Sequence, residues 1–169
     1  MADVEVAVLP DCARISVRAG RTGAAAIGAA IGVPLGDVPC RANVAADRAA
    51  LWLGPDEWLL MGLSDDAPAL IATAGDAPGD EPASVVDVSH RTIAVQISGA
   101  RSEEVLNAFC ALDLDTHAFP VGMCTRTVFG KAEIVLWRTA PQTFWLEVAR
   151  SFAPYVQGCL AEAARELTA

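Results

Sequence analysis

Lysine is all but absent from this chain. Lys131 is its single instance, and 12 basic residues stand against 21 acidic ones, for a formal charge of −9. Nucleic acids and anionic membranes are bound by cations that neutralise their phosphates, so this sign disfavours both partners. Long apolar runs are missing as well: Gly, Pro, Asp or Arg interrupts every candidate well short of the roughly 20 residues needed to span a bilayer. The opening Met1-Ala2-Asp3-Val4-Glu5 carries acid where an export signal carries base, which predicts a cytoplasmic protein. Paired cysteine motifs are lacking. Cys12, Cys40, Cys110, Cys124 and Cys159 are odd in number, form no CxxC, and have neither histidine at metal-ligand spacing. They read as small hydrophobes kept reduced, and no metal site is expected. The glycines at 20, 23, 28, 32 and 36 spell neither GxGxxG nor a P-loop, and Gly130-Lys131 sits in a hairpin pattern.

What is present suits one domain or two very small ones. A chain of 169 residues buries roughly two thirds of its unfolded surface, enough for a core without metal or disulfide. Apolar residues make up 53%, much of it alanine, so the composition hints at a buried interface without proving one. Ala13 to Val17 alternates like a strand, and Gly23 to Ile31 is helix-compatible up to the stop Gly32-Val33-Pro34. A loop is expected around Pro39 to Asn43. Ala49 to Leu53 and Trp58 to Met61 read as a hairpin joined by the four residues Gly54-Pro55-Asp56-Glu57. A short helix from Ala67 to Ala74 precedes a polar linker, Gly75 to Pro82.

The second half is patterned more clearly. Ser84 to Val88 and Thr92 to Ile97 have strand composition, with Ile93, Val95 and Ile97 on one face. Val105, Leu106 and Phe109 form the inward stripe of a helix that opens after Ser98-Gly99. Cys124 to Phe129, Ala132 to Trp137 and Thr143 to Val148, with short connections, predict an antiparallel meander. The last element is a helix whose N-cap is expected at Ser151. Phe152, Tyr155, Val156, Cys159, Leu160, Ala163 and Leu167 recur in it at three- and four-residue steps. The expectation is an α+β protein of two similar halves, 1–82 and 83–169, each an antiparallel sheet with helices on one face.

Chemistry is concentrated in Asp87-Val88-Ser89-His90-Arg91, where a carboxylate, a hydroxyl and an imidazole fall within four residues. In a strand Asp87 and Ser89 share a face and His90 takes the other, so a relay would need a sharp turn here. A structural role is expected, and no catalytic residue is assigned. His117, in Asp113-Leu114-Asp115-Thr116-His117, reads as a solvated loop residue and not as half of a metal site. Trp52, Trp58, Trp137 and Trp145 lie in strands, where core filling competes with an interface role.

The string Val85 to Thr92 followed by Ser98-Gly99-Ala100 resembles the DVSH segment of the aminomethyltransferase (glycine-cleavage T-protein) superfamily. Cys124 to Glu133, Leu136 to Thr139, Glu147 to Val156 and Leu53 to Leu59 resemble the gamma-subunit family of heterotetrameric sarcosine oxidases. This resemblance implies a fold like the aminomethyltransferase folate-binding domain. It also implies a cytoplasmic complex with alpha, beta and delta subunits that oxidises sarcosine to glycine with oxygen, forming peroxide and passing a one-carbon unit to tetrahydrofolate. FAD, FMN, NAD and the tetrahydrofolate site are implied for the partner subunits and none for this chain. The expected role is non-catalytic assembly, with self-association possible for the chain alone. The alternatives are a small folate or pterin-binding module, for which Asp87 is the one residue nominated, and an independent hydrolase or thiol enzyme using His90 and Cys124.

Overall fold

The computed structural model describes residues 3–168. Among these residues ten strands and four α-helices fall into two compact units, one of Asp11–His90 and one that joins the residues before Asp11 to those after His90.

In the Asp11–His90 unit the chain runs β2 (Ala13–Ala19), α1 (Arg21–Ile31), β3 (Ala42–Ala45), β4 (Arg48–Gly54), β5 (Glu57–Gly62), α2 (Ala67–Asp76) and β6 (Ala83–Asp87). Its antiparallel sheet has the order β3-β4-β5-β2-β6. Period-two alternation decides the faces: Ala13, Ile15 and Val17 of β2 join Trp58 and Leu60 of β5 in one core, which Ile27 and Ile31 of α1 and Leu70 and Ala74 of α2 complete. Helix α1 ends as its sequence foretells, on Gly32 at φ 76° in the left-handed region. The β4–β5 turn is tighter than expected. Gly54 and Glu57 are paired within the ladder, leaving Pro55-Asp56 as the connection, with a register shift between Trp52 and Gly54.

The other unit runs β7 (Thr92–Ser98), α3 (Ser102–Asn107), β8 (Cys124–Phe129), β9 (Ala132–Ala140), β10 (Thr143–Ala149) and α4 (Ala153–Thr168), and it is completed by β1 (Glu5–Val8). The sheet order is β8-β9-β10-β7-β1, the same order as in the first unit with β1 in the place of β6. The expected meander is β8–β9–β10. Val105 and Leu106 of α3 and Val156 and Leu160 of α4 pack with Ile97, Phe129, Ile134, Leu136, Phe144 and Leu146. Both units thus place their helices on one sheet face, an α+β arrangement of two similar halves.

Three further expectations need correction. The boundary at 82/83 cuts across the architecture, because β6 pairs with β2 and β1 pairs with β7; the breaks fall at 10/11 and 90/91. The stretch around Pro39 to Asn43 leads directly into a strand, β3, whose Ala42 already pairs with Leu51. Ser151 lies inside a 3-10 turn, Arg150–Phe152, that runs straight into α4 and so does not cap that helix.

Candidate functional site

Asp87 ends β6, and the chain turns at once. Its Oδ1 accepts the Ser89 amide at 2.9 Å and the Ser89 hydroxyl at 2.6 Å, so carboxylate and hydroxyl meet directly with no imidazole between them. The Ser89 Oγ in turn accepts the Arg14 amide at 3.0 Å, and Val88 donates to the Arg14 carbonyl at 2.8 Å. Arg14 itself is buried and donates Nη1 to the carbonyls of Cys12 and Ser89 at 3.2 and 3.4 Å. The string is therefore a corner that ties the start of β2 to the turn after β6. The Ser89 hydroxyl, then its amide, and to a lesser extent His90 hold the Asp87 carboxyl below its ordinary range. The Ser89 hydroxyl is thus held between the Asp87 carboxylate and the Arg14 amide, and these bonds tie the corner together.

The polar side chains of the Asp113–His117 loop bond within the loop. Asp113 accepts the Asp115 amide at 3.0 Å, Asp115 accepts the His117 amide at 2.8 Å, and no cluster of three or more metal-ligating side chains occurs among the described residues. None of the five cysteines is joined in a disulfide: Cys110 and Cys124 are buried, and Cys12, Cys40 and Cys159 are half-buried. Of the tryptophans, Trp58 is buried and donates its indole N–H to the Gly36 carbonyl at 2.9 Å, a core role. Trp137 and Trp145 pair at 6.3 Å on the helix-free face of their sheet, where Trp145 donates to Glu147 at 2.7 Å. Glu147 is buried and accepts the Thr92 hydroxyl at 2.6 Å.

Arg138 was not singled out by sequence, yet it organises more backbone than any nominated residue. Fully buried on β9, it donates to the carbonyls of Leu114 at 2.7 Å, Phe119 at 3.0 Å and Pro141 at 3.2 Å, contacts the Glu103 carboxylate, and lies 4.8 Å over the Phe144 ring. It fixes the long connection between α3 and β8.

The accessible large apolar side chains are peripheral. Phe152 and Tyr155, at the start of α4, meet edge to face at 6.5 Å while keeping much of their surface in solvent, and the Tyr155 hydroxyl accepts the Lys131 amide at 3.2 Å. Val8, Val44, Val86 and Val128 are exposed on β1, β3, β6 and β8, the four edge strands of the two sheets. Exposed aromatics and β-branched residues on open edges are the raw material of protein contacts. Among the described residues no helix is long and apolar enough to cross a membrane.

The model of the sarcosine oxidase gamma subunit family matches residues 17–166. The gamma subunit of sarcosine oxidase from Corynebacterium sp. (strain U-96) is 36% identical over 154 residues, covering 89% of this chain and 73% of that protein. A chain of the heterotetrameric sarcosine oxidase from Corynebacterium sp. U-96, solved with pyrrole 2-carboxylate, superposes with a TM-score of 0.92 at 32% identity, covering 98% of this chain and 86% of its own length. The glycine cleavage system aminomethyltransferase T from Bartonella henselae shares the fold, with a TM-score of 0.67 at 12% identity, over 94% of this chain and 45% of that one. A family model spanning most of the sequence, and a relative matched along most of both chains, place this chain in the sarcosine oxidase gamma subunit family.

Proposed function

We propose that this chain is a structural subunit of a heterotetrameric sarcosine oxidase, holding larger partner subunits in register while they carry the flavins, the NAD and the tetrahydrofolate site. The complex oxidises sarcosine to glycine in the cytoplasm with oxygen as acceptor, and its one-carbon unit passes to tetrahydrofolate. The observation that carries this reading is the near-complete superposition on a chain of such a heterotetramer. The local chemistry supports an assembly role. The most enzyme-like string spends its hydroxyl and carboxylate on each other, Asp87 lies exposed at a strand end, and the solvent-facing features are aromatic and β-branched side chains.

Co-expression with alpha, beta and delta subunits, followed by capture on a tag carried by this chain, tests the proposal. Flavin absorbance and sarcosine-dependent peroxide should elute with it. The reading fails if the tagged chain elutes without flavin while the other three subunits assemble and turn over, or if tetrahydrofolate titrated into the isolated chain gives a saturable heat.

A further inference from the structure

The four sheet edges are not equivalent. Strand β6 (Ala83–Asp87) pairs with β2 on one side and ends the sheet on the other. Val88 donates to the Arg14 carbonyl at 2.8 Å, so antiparallel alternation turns Ser84 and Val86 toward β2 and leaves the amides and carbonyls of Ala83, Val85 and Asp87 facing outward. Edges of this kind are normally blunted by Lys, by Pro within the strand or by a bulge. Strand β6, like β1 and β3, has no Lys, Pro or bulge: it reads Ala-Ser-Val-Val-Asp, keeps unbroken register with β2, carries a charge only at Asp87, and exposes half of Val86, so the charge around it is what distinguishes it.

The segment that leads into β6 is acidic, although Arg18 stands opposite Ser84 in the ladder. From Ala49 to His90 the sequence contains eight acidic residues and no Lys or Arg. Arg18 neutralises Asp56 and Glu57, and Arg48 approaches Asp66. Asp76, Asp80 and Glu81, on the segment that leads into β6, are exposed, as is Asp87 at its end. A second copy of the chain fits this edge poorly. Antiparallel pairing of two β6 strands about Val85 would set Asp87 of each copy opposite Ala83 of the other and diagonal to its Glu81, about 7–8 Å apart, where like charges gain nothing. Strands flanked by Lys or Arg would be attracted instead.

We infer that β6 is a strand-addition site for an extended, β-branched segment with basic flanks belonging to a partner subunit. Main-chain hydrogen bonds to Val85 would supply affinity, and the acidic rim would supply orientation and rate. This rests on the assembly reading above, and the test separates the two.

The same substitution on opposite edges of one sheet provides the measurement. Val86→Lys blunts β6, and Val44→Lys blunts β3, where Val44 is exposed to 60%. Both positions are half-exposed or more, so each variant should melt within about 2 °C of the parent chain. In co-expression, Val86→Lys should lower recovery of the four-subunit complex about tenfold, a ~1.4 kcal/mol weakening, and Val44→Lys should leave it unchanged. The double variant Asp80→Lys/Glu81→Lys should weaken recovery too, with the loss shrinking as salt rises. Undiminished complex with Val86→Lys overturns the edge assignment while the assembly reading stands. Equal losses from both valine variants overturn it as well, and so does a dimer of the isolated chain that Val86→Lys dissolves. Failure of the parent chain to co-purify at all overturns both readings.

Discussion

Asp87 illustrates how a residue that looks reactive does structural work. Its carboxylate is held below the ordinary range chiefly by the Ser89 hydroxyl, next by the Ser89 amide, with a smaller contribution from His90. Because its folded-state pKa lies below the unfolded value of about 3.9, its stabilisation is present above that value and is lost as pH falls through the folded pKa. The group is exposed, so solvent limits the effect to about 0.5–1 kcal/mol. Asp87→Asn should therefore destabilise the chain by that amount at pH 7, and the difference should close in denaturant titrations as pH falls through the folded-state pKa of Asp87. A gap that stays constant across this range would mean that the charge contributes nothing. The sequence displayed Asp87, Ser89 and His90 together but not the turn that joins the first two. Arg138 was hidden in plainer view: it follows Ile134 and Leu136 at two-residue spacing and so lies on their core face, a pattern that marks a buried arginine wanting acceptors. Pro141 is near in sequence, but the Leu114 and Phe119 carbonyls come from a loop more than fifteen residues away, which no local pattern reveals.

Glycines within helices make the same point for elements. Gly28 in α1 and Gly158 in α4 are alike in sequence, and alanine is intrinsically favoured over glycine in a helix by about 1 kcal/mol. Their surroundings differ. A Cβ on Gly28 would lie 2.9 Å from the Leu35 amide nitrogen and 3.1 Å from the Val33 carbonyl oxygen, both backbone atoms, whereas one on Gly158 meets nothing within 4 Å. Gly158→Ala should stabilise by about 0.5–1 kcal/mol, and Gly28→Ala should destabilise by about 1–2 kcal/mol because α1 must move off the 33–35 segment. Thermal melts that shift in the same direction for both would refute this account. Strands and helices with strong periodicity were legible, the β8–β9–β10 meander almost to the residue. Strand β3 was not, since Ala-Asn-Val-Ala has no marked strand composition and is drawn into the sheet by pairing with β4. The Ser151 cap was misplaced because a 3-10 turn, and not a side-chain cap, leads into α4.

At the scale of the molecule, two units with one sheet order arise from a chain that completes its later unit with its earliest strand. Each unit reads strand, helix, three strands, helix, and then needs a fifth strand beside its first. Strand β6 supplies it in one unit, and β1 supplies it in the other from some ninety residues upstream of β7. The sequence shows two similar halves but cannot place their boundary, because β1 is only four residues long and its pairing is non-local. Val4 is buried and Val6 partly buried in the core of the unit that β1 completes, Leu9 donates to the Ala94 carbonyl, and Arg101 donates to that of Asp3. Deleting residues 1–8 should therefore cost about 3–5 kcal/mol and lower the melting temperature by about 10 °C. The ladder alternation fixed by the Leu9–Ala94 bond points the Gln96 and Ser98 amides at β1, so those two should lose hydrogen-exchange protection. The Leu59 and Met61 amides of β5, in the other unit, should keep theirs. Slow exchange at Gln96 and Ser98 in the truncated chain would show that the sheet closes without its first strand, and the equivalence of the two units would then be one of order and not of stability.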